Sequence, residues 1–191
     1  MSQTILLIDG ENFIHKIKEI LENNHKSSHT EDVVEINLQK LFINPLKGIS
    51  LSRKIYYGAK LHYNEETSSK SKNLIKSQRK LINNLRKQGY EFIMAGNVRG
   101  QKVGSKIVFR EKGVDVRIAV DIVSLACDKK VKTVILCSSD SDLQPAIAEA
   151  KKRGVEIIYL GFENRPNKGL TFTTDRTILL RDSEILDAYE E

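Results

Sequence analysis

Residues 131 to 147 read VKTVILCSSDSDLQPAI. The run Thr133 to Cys137 is short, unbroken, apolar and rich in β-branched side chains, the pattern of a strand covered on both faces in a parallel sheet. It ends in Ser138-Ser139-Asp140-Ser141-Asp142, after which Leu143, Ile147 and Ala150 begin a helical stripe. Two carboxylates therefore stand where a strand hands over to a helix. In open α/β sheets, ligands bind at this carboxyl-end edge.

Working outward, Ile5 to Ile8 is a second buried strand, closed by Asp9-Gly10-Glu11-Asn12 and followed by a helix over Phe13 to Leu21. Asn23 to Asp32 and Glu65 to Ser71 are polar and read as loops. Val33 to Leu41 reads as a short helix stopped near Pro45, and Arg53 to Tyr57 as a strand ended by Gly58. Lys72 to Gln88 is the clearest helix, with Leu74, Gln78, Leu81, Ile82 and Leu85 on one face and Gly89 as its C-cap. Tyr90 to Ala95 reads as a strand. Gly96, Gly100 and Gly104, with basic residues between them, predict a basic hairpin arm returning over Ser105 to Arg110. Lys112-Gly113-Val114-Asp115 opens a helix that runs to about Cys127. Beyond the opening stretch come a helix end at Gly154, a strand over Val155 to Leu160 and a loop over 161–175. A strand at Thr177 to Leu180 and a helix at Ser183 to Ala188 follow. Strands alternating with helices predict an α/β fold in three layers, a doubly wound and mainly parallel sheet under the right-handed crossover rule.

The 191 residues suit one domain, with no repeat and no linker. No stretch approaches a membrane span, and the chain runs from Met1 straight into a strand, leaving no room for a signal peptide. The two cysteines, Cys127 and Cys137, lie in apolar contexts and read as reduced core residues of a cytoplasmic protein. Net charge is +6, unevenly placed. From Thr67 to Lys112 there are twelve basic residues against Glu91 and Glu111, so the remainder of the chain is net acidic. A basic segment beside an acidic remainder points to a polyanionic partner. On the 72–88 helix, Lys72, Lys76 and Arg79 share one face with no acid between Thr67 and Tyr90. A face built only for solubility usually mixes signs, although a lysine-rich face is often just solvated. Tyr56, Tyr57 and Tyr63 are candidates for base stacking, with Tyr56 or Tyr57 expected in the core. The four histidines show no ligand spacing.

Topology joins residues that sequence separates. Asp9 lies just past the first strand, and Asp140 and Asp142 just past the 133–137 strand. Asp115 starts the helix that runs back antiparallel to that strand. If the first strand neighbours the 133–137 strand, four carboxylates converge on one edge. Such a group repels itself unless a cation relieves it. An all-oxygen set favours Mg²⁺ or Mn²⁺, ions that clamp a phosphodiester and activate a water. Each acid also has a simpler reading. Asp9-Gly10 suits a turn, Asp115 suits a helix dipole, and Ser141 with Gln144 suits a capping box. Capping accounts for each singly but not for their sharing an edge. Asp121, six residues after Asp115, also reads as a buried hydrogen-bonding group.

Leu6-Leu7-Ile8-Asp9-Gly10-Glu11-Asn12, Lys112-Gly113-Val114-Asp115 through Asp121, and Ser138-Ser139-Asp140-Ser141-Asp142 with the Gly154 turn resemble the NYN domain of the LabA-like type, within the PIN-like nuclease fold. The resemblance covers roughly residues 4–162, leaving 163–191 as a C-terminal extension. It implies that Asp9, Asp115 and Asp140 are catalytic and hold metal with Asp142. Asn12, Asp121 and Ser138 take supporting places. Ser139 stands where the family commonly has glycine. The expected activity is a metal-dependent endoribonuclease that uses Mg²⁺ or Mn²⁺ on single-stranded RNA. From the basic segment, rather than from the resemblance, Lys112, Lys72, Lys76, Arg79, Arg99, Lys102 and Lys106 are expected to bind the nucleic acid. No membrane is expected as a partner, and an oligomer is compatible with the sequence. A non-catalytic RNA-binding or regulatory module is the alternative. A phosphotransferase of another doubly wound fold is disfavoured. Glu11 stands where haloacid-dehalogenase-like enzymes have a second Asp, and no GxxxxGK[ST] loop occurs.

Overall fold

Alternate side chains of the first strand go to opposite sides of the sheet. Leu6 and Ile8 enter one apolar cluster and Ile5 and Leu7 the other. That alternation, with both faces apolar, makes this a central strand with helices on each side. The computed structural model describes residues 2–24, 33–62, 68–103 and 106–189, with Lys70 and 99–111 described in backbone alone. In chain order the elements are β1 (Gln3–Asp9), α1 (Gly10–Asn23), α2 (Leu38–Phe42), β2 (Arg53–Lys60), α3 (Ser68–Lys87), β3 (Glu91–Val103) and β4 (Lys106–Lys112). Then follow α4 (Val114–Cys127), β5 (Val131–Cys137), α5 (Gln144–Lys152), β6 (Glu156–Phe162), α6 (Lys168–Thr173), β7 (Arg176–Leu180) and α7 (Asp182–Asp187).

The seven strands form one sheet in the order β4-β3-β2-β1-β5-β6-β7. β4 runs antiparallel to β3, and the other neighbouring pairs are parallel. The expected doubly wound α/β sheet is therefore present. From β1 the chain builds outward to β4, then returns to place β5 on the other side of β1. Strand order reverses at that junction, the topological switch point where an open sheet leaves a crevice at its carboxyl ends. The helix after β1 packs Phe13, Ile17, Ile20 and Leu21 into one layer. The helix after β5 packs Ala146, Ile147 and Ala150 into the other. The two chain segments part at the sheet edge and leave the crevice between them.

Phe13 fixes α1 to its layer, with ring centroids 6.2 Å from Phe42, 6.4 Å from Tyr56 and 5.9 Å from Phe162. On the opposite face α4 buries Val114, Ile118 and Ile122. Among the described residues, no helix is long and apolar enough to cross a membrane.

The structure corrects several element boundaries. The single helix expected over 33–41 is interrupted: residues 33–34 are helical, Glu35 turns, and a separate helix runs over Leu38–Phe42, which Asn37 starts by accepting the Lys40 amide. The expected loop over 161–175 contains α6. Its Thr-rich sequence has little intrinsic helical preference, and it is held instead by the Asn167 cap, by threonine hydroxyls on carbonyls four residues back and by buried Leu170. The basic arm is a continuation of the sheet. β3 runs through Gly96 and Gly100, and β4 pairs with it from Lys106 to Lys112. Gly104, Ser105, Tyr63, His25 and His29 lie outside the described residues.

Gly10 is the point where β1 turns into α1. A Cβ there would overlap the Tyr56 ring and the Tyr57 carbonyl oxygen. Backbone cannot move aside as a flexible side chain can, so Gly10→Ala overpacks the junction. Chemical denaturation should show a loss of about 1–3 kcal/mol with an unchanged denaturant slope. An alanine variant as stable as wild type would mean the junction has room to relax.

Candidate functional site

Asp9 ends β1 and caps α1. Its Oδ1 accepts the Asn12 amide at 3.3 Å, and its Oδ2 accepts Asn12 Nδ2 at 2.6 Å and Ser138 Oγ at 2.9 Å. Ser138 follows β5, and the parallel pairing of Ile8 with Cys137 brings it beside Asp9. Ser139 Oγ donates to Asn12 Oδ1 at 2.6 Å, which fixes the orientation of that amide. The serine at the family's usual glycine position therefore has a definite role here. The Asp140 amide donates to Ser138 Oγ at 3.1 Å, and Asp140 Oδ1 accepts the Asp142 amide at 2.9 Å. Asp115 arrives from α4, whose first turn it occupies behind Gly113. Gly113 has φ +99°, a left-handed conformation that favours glycine and turns β4 abruptly into the helix.

These segments line an open cleft of about 860 Å³ that includes Asp9, Glu11, Asn12, Lys112, Asp115 and Asp140. His15 and Lys16 complete one wall. Four carboxylates face two lysines, and Lys16 is already bound to Glu19 at 2.9 Å. The Asp9 carboxyl titrates above its ordinary range, first because it is buried and further because Asp140 is near. Its bonds to Asn12 and Ser138 oppose that rise. Glu11 is also raised, by burial and then by Asp9. Uncompensated oxygen donors of this kind suit a hard divalent cation such as Mg²⁺ or Mn²⁺. As the side chains stand, no three His, Cys, Asp or Glu groups among the described residues are gathered into a metal-holding group. Asp140 gives one oxygen to its own helical turn, which would leave the other for a cation.

Asp9, Asp115, Asp140, Asn12 and Lys112 thus meet at one cleft, and Ser138 braces it from behind. Asp142 is exposed on the 3₁₀ turn Ser141–Leu143 and does not line the cleft. Asp121 lies further along α4, where it accepts the Tyr57 hydroxyl at 2.9 Å and pairs with Arg117 at 2.9 Å. Its contacts hold α4 to the sheet, in keeping with the hydrogen-bonding reading. Tyr56 and Tyr57 are both core residues. Lys72, Lys76 and Arg79 are exposed on α3. The backbone of Arg99, Lys102 and Lys106 lies on the β3–β4 hairpin. Glu11 and His15 were given no place in the site by sequence. Their position on the first two turns of the helix after Asp9 was the available signal.

The family model described as the NYN domain matches residues 3–181. An uncharacterized protein of Methanocaldococcus jannaschii is 34% identical over 74 residues, which is 39% of this chain and 31% of that protein. The match thus spans about a third of the length of that curated relative. The crystal structure of a protein of unknown function from Vibrio parahaemolyticus has a TM-score of 0.63 at 18% identity, covering 94% of this chain and 93% of that one. The latter likeness is one of fold.

Because Asp140 helps to raise Asp9, Asp140→Asn should lower the Asp9 titration midpoint in a carboxyl NMR titration. A raised carboxyl contributes stability at low pH that is lost as pH climbs from the ordinary carboxylate range through the raised value. The asparagine still caps, so in chelator the variant should melt higher than wild type at neutral pH. The gap should close in acid, where both carboxyls are protonated. Identical melting at neutral pH would mean the two carboxylates do not interact.

Proposed function

The chain belongs to the NYN domain family, whose fold is that of PIN-type nucleases, and from that premise we propose that it is a metal-dependent endoribonuclease acting on single-stranded RNA in the cytoplasm. The observation that carries the reading is the cleft at the β1/β5 switch point, lined by Asp9, Asp115 and Asp140 together with Lys112. The SDSD block is the feature that favours the LabA-like type.

In this reading Asp9, Asp115 and Asp140 hold Mg²⁺ or Mn²⁺. The cation, when bound, neutralises the phosphodiester and lowers the pKa of an attacking water. Asn12 and Ser138 hold the Asp9 carboxylate in one orientation, and Ser139 holds Asn12. Lys112 supplies a positive charge at the cleft wall for the RNA backbone. Lys72, Lys76 and Arg79 on α3, with Arg99, Lys102 and Lys106 on the hairpin, give the strand an electrostatic track. Asp142 acts through the turn that positions Asp140.

The second reading is a non-catalytic RNA-binding module. It is favoured by one observation, that the carboxylates are not gathered into a three-ligand group while Asp140 serves as a cap.

Cleavage decides between the two. Purified protein should cut single-stranded RNA with Mn²⁺ or Mg²⁺ and stop in chelator. Asp140→Asn should lower the rate about a hundredfold or more, the scale of losing one group that stabilises transition-state charge. RNA binding should be nearly unchanged. Binding without cleavage at any metal concentration would establish the non-catalytic module.

RNA affinity should also fall steeply with salt. Reversing Lys72, Lys76 and Arg79 to Glu should flatten that log–log slope by roughly 2, since each neutralised phosphate of a single strand contributes about 0.7. An unchanged slope would mean that α3 is merely solvated.

A further inference from the structure

Beside the carboxylate cleft lies a second cavity, of about 400 Å³, between α1, the end of β2, α3 and β3. Glu11 and His15, one helical turn apart on α1, line both cavities and form the ridge between them. The second cavity differs in chemistry. Its walls are mostly apolar, built from Ile14, Leu61, Leu74, Leu81 and Phe92. The Phe92 ring lies over Gly58, where a Cβ would come within 2.7 Å of it, and stacks on Tyr56 at 5.8 Å and 19°. Tyr56 in turn donates its hydroxyl to the Gly10 carbonyl at 3.3 Å, so the aromatic floor is fixed to the same junction that carries Asp9. Gln78 is oriented by its bond to the Ala59 carbonyl at 2.7 Å, and His62 by its bond to Asn97 at 3.0 Å.

The helix that walls this cavity identifies its occupant. Leu74, Gln78 and Leu81 face inward from α3, while Lys72, Lys76 and Arg79 are exposed on the same helix. A polyanion drawn to those cations passes the mouth of an apolar, aromatic-floored cavity, and its phosphates reach the cleft across a ridge one side chain wide. The size is that of a small-ligand site. A flat ring with polar edges fits such a wall set. The carboxylate of Glu11 accepts hydrogen bonds and, when ionised, cannot donate one.

We propose that this cavity takes one unstacked base of the RNA whose backbone occupies the cleft, with Glu11 accepting from an exocyclic amino group. The inference rests on the ribonucleic-acid reading above and adds the element of base choice. Cytosine, adenine and guanine carry such an amino group, whereas uracil does not.

The test is equilibrium binding in chelator, so that no cleavage intervenes, with labelled oligocytidine, oligouridine and a base-free ribose-phosphate strand of the same length. Wild type should bind oligocytidine tightest and the base-free strand about tenfold weaker, the scale of one stacked base. Glu11→Gln should shrink the cytidine-over-uridine preference. Leu74→Trp, which fills the cavity from a half-buried position, should bring all three ligands close together; its melting curve checks that it is folded. Equal binding of the three ligands by wild type, a measurement that needs no variant, would overturn the base pocket while leaving RNA binding intact. Base discrimination that survives in folded Leu74→Trp would overturn it too. Failure of every strand to bind at low salt would instead overturn the RNA reading itself.

Discussion

The rest of the site depends on holding a buried carboxylate, Asp9, at the end of the central strand. Taking it out of water is unfavourable, and its titration is raised accordingly. It is retained because Asn12 and Ser138 meet both of its oxygens. Those partners come from different parts of the chain. Asn12 is available because α1 begins immediately after β1, and Ser138 because β5 lies parallel beside it. Only a glycine at position 10 lets the helix start so close to the Tyr56 ring. The fold therefore fixes the Asp9 neighbourhood with hydrogen bonds and packing together, and Asp140 and Asp115 are brought to a carboxylate that is already in place.

Capping and ion binding draw on the same atoms. Asp9 caps α1, and Asp140 caps the turn that leads into α5. A cap needs one carboxylate oxygen, leaving the other for a different partner. For Asp115 the described residues supply no partner at all. The simple and the chemical readings of these acids are thus compatible. On the proposed reading, positive charge on α3 would concentrate the polyanion beside the acidic cleft.

Much of this was legible in the sequence because strong local patterns agreed with one topology. The run 133–137 could scarcely be anything but a buried strand, and Ile5 to Ile8 matched it. Once the two were neighbours, the convergence of Asp9, Asp115 and Asp140 followed from chain direction alone. What could not be read depended on tertiary context. Helix α6 is held by Asn167, whose Nδ2 also donates to the Ser139 carbonyl and Ser141 Oγ across the sheet edge. No local propensity announces that. Asp142 reads like a ligand by spacing, but the tight 3₁₀ turn puts it outside the cleft lining. Nothing in the local sequence marked Glu11 or His15 as cavity residues. They line cavities because α1 starts at the switch point, where its first two turns border open space.

On the proposed reading, the cleft at the β1/β5 junction binds a hard divalent cation through Asp9, Asp115 and Asp140. Its most direct test is a crystal of the protein soaked in Mn²⁺ and measured at the manganese absorption edge. An anomalous peak between those three carboxylates is the expected result. A cleft without a peak at saturating Mn²⁺ would contradict metal binding there.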